Sequence, residues 1–235
     1  MHPTKKTARI AGAIYLSMAV TAPFSLIYIP STLIVRGDAT ATAGKILIHE
    51  TLFRLGIVAD LISSIIFILL VMALYRLLSG VNKTHALLMV ALVLVSVAVG
   101  LMNVLNNIAA LTLFHGADFL AVFDKPQRDA MAMLFLGLHR QGLTIDQIFW
   151  GLWLFPFGVL VIRSGFLPRI LGVWLIVNCF AYLALSFTGL LLPQHLDIAF
   201  RIAFPVLFGE MAIALWLLIM GLRPYRTAQS EMAKA

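Results

Sequence analysis

Between Ala86 and Leu113 the chain carries no charged side chain. A hydrocarbon core about 30 Å thick needs roughly 20 apolar residues rising 1.5 Å each. Six stretches of the sequence meet that length: about 10–35, 51–78, 86–113, 145–162, 168–191 and 198–221. Membrane-barrel strands run only about 9–11 residues and alternate in polarity. These stretches are longer and continuous, so each has to close its backbone hydrogen bonds within itself, as a helix does in oil. The expected architecture is all-α: a polytopic bundle of six transmembrane helices forming a single integral membrane domain over residues 1–235.

Composition agrees with lipid as the main solvent. The 235 residues are 62% apolar and 11% charged, with a mean hydropathy of +1.01. A soluble domain averages about 45–50% apolar and about 25% charged, and surplus apolar surface of this size has no cover in water. The net charge of +7 raises the question of nucleic acid, and the charge distribution answers it. With alternating spans, Lys5, Lys6, Arg9, Arg76, Lys83, Arg163, Arg169, Arg223, Arg226 and Lys234 share one side. Arg36, Lys45, Lys125, Arg128 and Arg140 take the other, with Arg54 and Arg201 near the helix ends there. That asymmetry orients a membrane protein with both termini in the cytoplasm. The basic side chains serve orientation and phospholipid contact, and no nucleic-acid partner is expected. The partner implied is the lipid bilayer.

In chain order, Ile10–Ile29 exceeds the 7–15 residues of a signal-peptide core and reads as an uncleaved first span, bent or ended by Pro23 and Pro30. Arg36–Glu50 reads as an outer loop, and Ser79–His85 as a tight inner turn. In the third connection, Asp124, Pro126 and Gln127 form a capping signal. Gln127–His139 mixes charge with Met and Leu, which suits an amphipathic helix at the outer interface. Gly142 is expected to end it, and Thr144-Ile-Asp-Gln147 to open the fourth span. Pro156 should kink that span. The tail from Arg223 is polar. The lone Cys179 allows no internal disulfide and reads as a small apolar residue.

Two hairpins carry matching words in the same order. Arg9-Ile-Ala-Gly12 matches Arg169-Ile-Leu-Gly172, and Phe53-Arg54-Leu55 matches Phe200-Arg201-Ile202. This suggests a duplicated hairpin flanking spans three and four, although basic residues bracketing spans arise from lipid physics alone.

Ionisable side chains inside spans are costly and mark function by default. Glu210 lies nine residues past Arg201, roughly 13 Å along the axis. Asp60 follows Arg54 by six residues, roughly 9 Å, on a face with Gly56, Ser63 and Ser64. A second small and polar face, Gly100, Asn103, Asn106, Asn107 and Ala110, is its expected partner. Arg54 follows Glu50 by one helical turn, the spacing of an ion pair. Gln147 and Trp150 point from the same leaflet. The candidate ligand-binding set is Arg54, Asp60, Asn103, Asn107, Gln147 and Glu210, expected to line a polar cavity in the outer half. The bland alternatives are interhelical glue for the amides and acids, snorkelling for Arg54 and interfacial anchoring for Trp150. His49, His115, His139 and His195 sit at outer helix ends and His2 and His85 at inner ones, without metal-ligand spacing on any helix. No Walker loop, nucleophile elbow, zinc-protease motif or dinucleotide fingerprint occurs. No cofactor, metal or catalytic residue is assigned.

Several blocks carry a family likeness: ARIAGAIYL at Ala8–Leu16, ETLFRLGIVADLI at Glu50–Ile62, the turn at Leu74–Asn82, and FWGLWLFPFGVLVIRSGFLPRILG at Phe149–Gly172. In these, over nearly the whole chain, the sequence resembles the bacterial membrane family catalogued as domain of unknown function 4386. The resemblance implies a bacterial six-helix membrane protein, set in the inner membrane, and no catalytic residues. Glu50, Arg54, Asp60, Trp150, Pro156, Gly158, Ser164 and Pro168 fall on these blocks.

Three functions compete. A small-ligand binding or transport protein suits proline-broken helices and repeats, although a chain of this size is small for a transporter unless it forms a homo-oligomer. A structural or accessory subunit would consume every polar group in interhelical bonds. An intramembrane enzyme would need reacting groups within reach of one another, and only Asp60 with Glu210 offers such a pair.

Overall fold

The structure is a computed structural model, and it describes residues 4–222. Arg223 and the polar tail lie outside the described residues. Among those described, there are helices and no strand. We number them α1 (Lys5–Leu33), α2 (Ala39–Ile48), α3 (Glu50–Leu78), α4 (Lys83–His115), α5 (Lys125–Arg163), α6 (Arg169–Leu191) and α7 (Pro193–Ile219). All but α2 are long and apolar enough to cross a membrane, six candidate spans in all. Large apolar side chains on their outer faces, such as Val20, Ile65, Phe180 and Ile202, stay exposed, as lipid-facing residues do.

Local chemistry sets the breaks. In α1, Pro23 closes the first α-helical stretch, and Phe24–Tyr28 widens into a π-helix before Ile29–Leu33 resumes. Pro30 has no N–H to give the preceding turn, and the wider turn accommodates that loss. Arg36–Glu50 is not the loop the sequence suggested. Asp38 accepts the Ala41 N–H at 2.8 Å as an N-cap, and the buried Thr42 hydroxyl bonds back to Val35 and Asp38. These short-range bonds satisfy the first turn of α2, and Ala43 and Ile46 then pack inward.

The start of α5 is a reciprocal capping box. Gln127 N donates to Asp124 Oδ1 at 2.8 Å, and Asp124 N donates to Gln127 Oε1 at 3.0 Å. Gly142 does not end this helix. Lys125–Leu152 is continuous, so the amphipathic segment and the fourth span are one rod. The absent side chain at Gly142 makes room for Asn103, whose amide a Cβ would strike. The rod breaks at Trp153 and resumes at Leu154–Arg163. Pro156 lacks the N–H that would bond the Leu152 carbonyl, which accounts for the break.

By contacts, the chain divides into two compact units. The first comprises Met1–Leu16, Ile68–Leu94 and Gln147–Ala235. Leu70, Leu74, Met89, Trp153, Phe157, Leu175 and Leu217 form its buried interior. Two backbone approaches replace side chains there. Gly158 and Gly172 face each other so closely that a Cβ on either would lie 2.6 Å from the other's carbonyl oxygen, and Gly12 lies against Ala214 and Leu218. Within lipid, such small-residue contacts hold helices together through van der Waals packing, because the apolar drive between helices is absent. The matched glycines of the suggested repeat, Gly12 and Gly172, thus meet different neighbours. The turn after α5 is tied by Ser164, whose hydroxyl donates to Val161 O and accepts from Leu167 N.

The second unit comprises Ser17–Phe67 and Val95–Asp146. Its core joins Ile29, Leu33, Ala43, Ile46, Phe53, Ile57, Val104, Leu111, Phe114 and Leu136.

Candidate functional site

Of the six candidate side chains, Gln147 and Glu210 belong to the first unit, and Arg54, Asp60, Asn103 and Asn107 to the second. Each set has its own surroundings.

In the first unit, Glu210 on α7 is gripped by two phenols. Tyr15 of α1 donates to Oε2 at 2.5 Å, and Tyr182 of α6 donates to Oε1 at 2.9 Å. Two hydroxyl donors, one on each oxygen, fit an ionised carboxylate, which only accepts. Aromatic rings surround the group. Tyr15 lies 6.1 Å from Trp153, which stacks on Phe157 at 5.4 Å. Tyr182 meets Trp150 edge to face at 6.2 Å. Trp150 follows the half-buried Gln147 by one helical turn on α5. Gly151, beside Trp150, lets α5 approach the Cys179 carbonyl and Tyr182 of α6. Sequence reasoning passed over both tyrosines. The signal was present: a phenol inside an apolar span needs a polar partner once buried.

In the second unit each of the two faces has a further partner of its own. The small face of α3 meets α1. Gly56 lies against Ile29, Ser63 Oγ donates to Thr21 Oγ1 at 2.8 Å, and Asp60 interacts with the Ser25 hydroxyl. The amide face of α4 meets α5. Asn103 Nδ2 donates to the His139 carbonyl at 2.9 Å, and Asn106 Nδ2 donates back to Asn103 Oδ1 at 3.0 Å. The His139 ring lies between two asparagines, with Nδ1 3.2 Å from Asn103 O and Nε2 3.4 Å from Asn107 Nδ2. A carbonyl accepts and an amide donates, so the proton belongs on Nδ1 and Nε2 is the acceptor. His139 also lies near Asp60, so this imidazole stands between the amides of α4 and the acid of α3. The partner of the amide face follows from α5: because it runs on through Gly142, His139, Gly142 and Asp146 share one face, and Gly100 and Asn103 pack against that face.

Arg54 is exposed and pairs with Glu50 at 2.6 Å, as its spacing indicated. Glu50 also meets His115 Nε2 at 3.0 Å, which ties α3 to α4. Both residues lie at helix ends, where water screens them.

Comparison with known proteins places the chain by family. The family model described as "Domain of unknown function (DUF4386)" matches residues 10–221. An uncharacterized protein of Archaeoglobus fulgidus is 34% identical over 82 residues, covering 34% of this chain and 46% of the relative. The chain thus matches a little under half of that relative's length. No solved structure matches.

Proposed function

We propose, for a chain that belongs to the DUF4386 family, the role of a multi-pass membrane protein that binds a small ligand through acids and amides set inside its spans. Each unit offers its own candidate contacts: Arg54, Asp60, Asn103 and Asn107 in the second and, separately, Gln147 and Glu210 in the first. Transport of that ligand is the activity such a site would serve. The setting is a bacterial inner membrane with both termini in the cytoplasm, which the Lys and Arg distribution supports.

One observation carries the reading. Glu210 sits within a span and is held by two neutral phenols, with no basic side chain among its partners in the described residues. A purely structural role would be met by an amide, which accepts from one phenol and donates to the other without the cost of a charge in oil. Retaining the acid points to a ligand that uses the charge. The amide network of His139, Asn103 and Asn107 favours a second, structural reading for those residues, since its donors and acceptors answer one another.

The test is a thermal-shift panel of small cations, anions and neutral solutes on the purified protein in detergent, beside Asp60→Asn and Glu210→Gln. At least one ligand class should raise the wild-type midpoint, and an acid-to-amide change should remove that rise. No shift with any class, or shifts that persist in both variants, would reject the proposal.

A further inference from the structure

At the end of the first unit where α1, α4 and α6 begin, the basic side chains are unspent. Lys5, Lys6, Arg76, Lys83, Arg163 and Arg169 are exposed, and none of these side chains has a hydrogen bond or ion pair among the described residues. No acid stands on the helical turns that carry them. The cations of the second unit are used differently. Arg54 holds Glu50 and Lys125 holds Asp129, while Lys45 and Arg128 donate to the carbonyls of Thr32 and Phe123. Exposed charge without an internal partner suits an anion from outside the protein.

One stretch of this surface is built to receive it. α5 ends at Arg163 and α6 starts at Arg169, joined by residues 164–168. Phe166 and Leu167 are buried, and the Ser164 hydroxyl ties the turn to Val161 O and Leu167 N, so its shape is fixed. Gly158 and Gly172 hold the two helix backbones in contact, five residues before Arg163 and three after Arg169, which keeps both arginines on adjoining helix ends. Between them Gly165 is exposed, and a Cβ there would meet nothing within 4 Å, so the space beside the turn is open. Ser164 lies in the right-handed helical region and Gly165 at φ +71°, a succession that turns neighbouring N–H groups toward one concavity suited to an anion. The N–H groups of Gly165 and Phe166 have no acceptor among the described residues.

We propose that Arg163, Arg169 and the Gly165 turn bind the phosphate of an anionic phospholipid. The guanidiniums supply charge and forked N–H donors, and the backbone N–H groups of the turn complete the cradle. Place favours a lipid as the occupant. The turn joins the ends of two spans, the level at which headgroups lie. From Arg169 an exposed apolar stripe of Ile170, Val173, Val177 and Phe180 runs on along α6, a track for the acyl chains. The other unpaired cations of this end favour a headgroup of net negative charge over a zwitterion. This binding is independent of any ligand held at Glu210.

The probe is dioleoyl phosphatidylglycerol, titrated into the full-length protein in detergent at about 0.15 M salt. Native mass spectrometry counts bound lipid, and the unfolding midpoint is followed beside it. Dioleoyl phosphatidylcholine, a zwitterion with the same chains, and inorganic phosphate, an anion without chains, are the comparisons. Phosphatidylglycerol should bind saturably and more tightly than either. Arg163→Gln with Arg169→Gln should weaken it about 10-fold or more, since each basic residue beside an anionic headgroup contributes a factor of about five. Arg76→Gln with Lys83→Gln removes equal charge from the other turn at this end, and should change the affinity less than about two-fold because exposed charges are screened over a short range. Arg163→Lys with Arg169→Lys keeps the charge, loses the fork and should weaken binding several-fold; it decides if the double glutamine variant does not fold. Equal losses in the two glutamine pairs would show a diffuse basic surface and overturn the site. Phosphatidylcholine binding as tightly as phosphatidylglycerol, or wild-type affinity in the variants of Arg163 and Arg169, would overturn it too. Displacement of the lipid by equimolar inorganic phosphate would identify a free anion as the occupant and overturn the lipid assignment.

Discussion

The two units meet one problem, an acid inside a span, in different ways. In the first, Glu210 is held by phenols on two other helices and backed by buried aromatic rings. In the second, Asp60 has a serine hydroxyl and an imidazole near it, and the imidazole is locked between asparagine groups of α4. The phenol grip leaves acceptors over. The imidazole and amide network pairs its members with one another. The lesson is that charge cost alone does not separate a ligand site from interhelical glue. The balance of donors and acceptors around the charge does.

Substitutions can strain this contrast from either side. The largest effect should come from the backbone of the first unit. Gly158→Leu drives a side chain into the Gly172 carbonyl, which cannot rotate away, and should cost about 3 kcal/mol or more. The reporter is the unfolding midpoint in detergent. Gly142→Ala in the second unit meets the Asn103 amide instead. That amide can turn, so a smaller loss there checks that the obstruction is a side chain.

Next comes the phenol grip. Tyr15→Phe leaves one oxygen of Glu210 without its donor, and should cost about 1.5–3 kcal/mol, the range for hydrogen bonds to charged groups. Chemical denaturation would measure it. Glu210→Gln should cost far less, because an amide satisfies both phenols. If the two variants lose the same stability, the grip is not electrostatic. In the second unit, His139→Phe removes the partner of Asn103 O and Asn107 Nδ2. It should cost about 1–2 kcal/mol, the scale of an unsatisfied buried neutral group. Glu50→Gln should be smallest, with a midpoint indistinguishable from wild type, because its partners Arg54 and His115 are exposed.

Much of the fold was legible. Long charge-free stretches state the spans, since lipid leaves a backbone few choices. The capping box at Asp124 and the break before Pro156 follow from local chemistry and appear in the structure. Reading failed where a tertiary neighbour overrode a local signal. Gly142 looks like a helix end, yet its bare backbone is an opening for Asn103. That single misreading cut α5 in two and hid the His139 face, and with it the further partner of the amide face of α4. Asp38 and Thr42 read as loop residues until their bonds into the first turn of α2 are seen. Tyr15 and Tyr182 lie 167 positions apart in the sequence, and no local pattern says that both hydroxyls meet Glu210.

The central claim is that the acid inside the first unit, Glu210, serves a ligand rather than the fold. The Glu210→Gln variant tests it most directly, through its unfolding midpoint in detergent with and without the solutes that stabilise wild type. The account predicts a monodisperse protein that melts near wild type and no longer responds to those solutes. A variant that aggregates or melts far lower, or one that still gains the full ligand-induced shift, would contradict it.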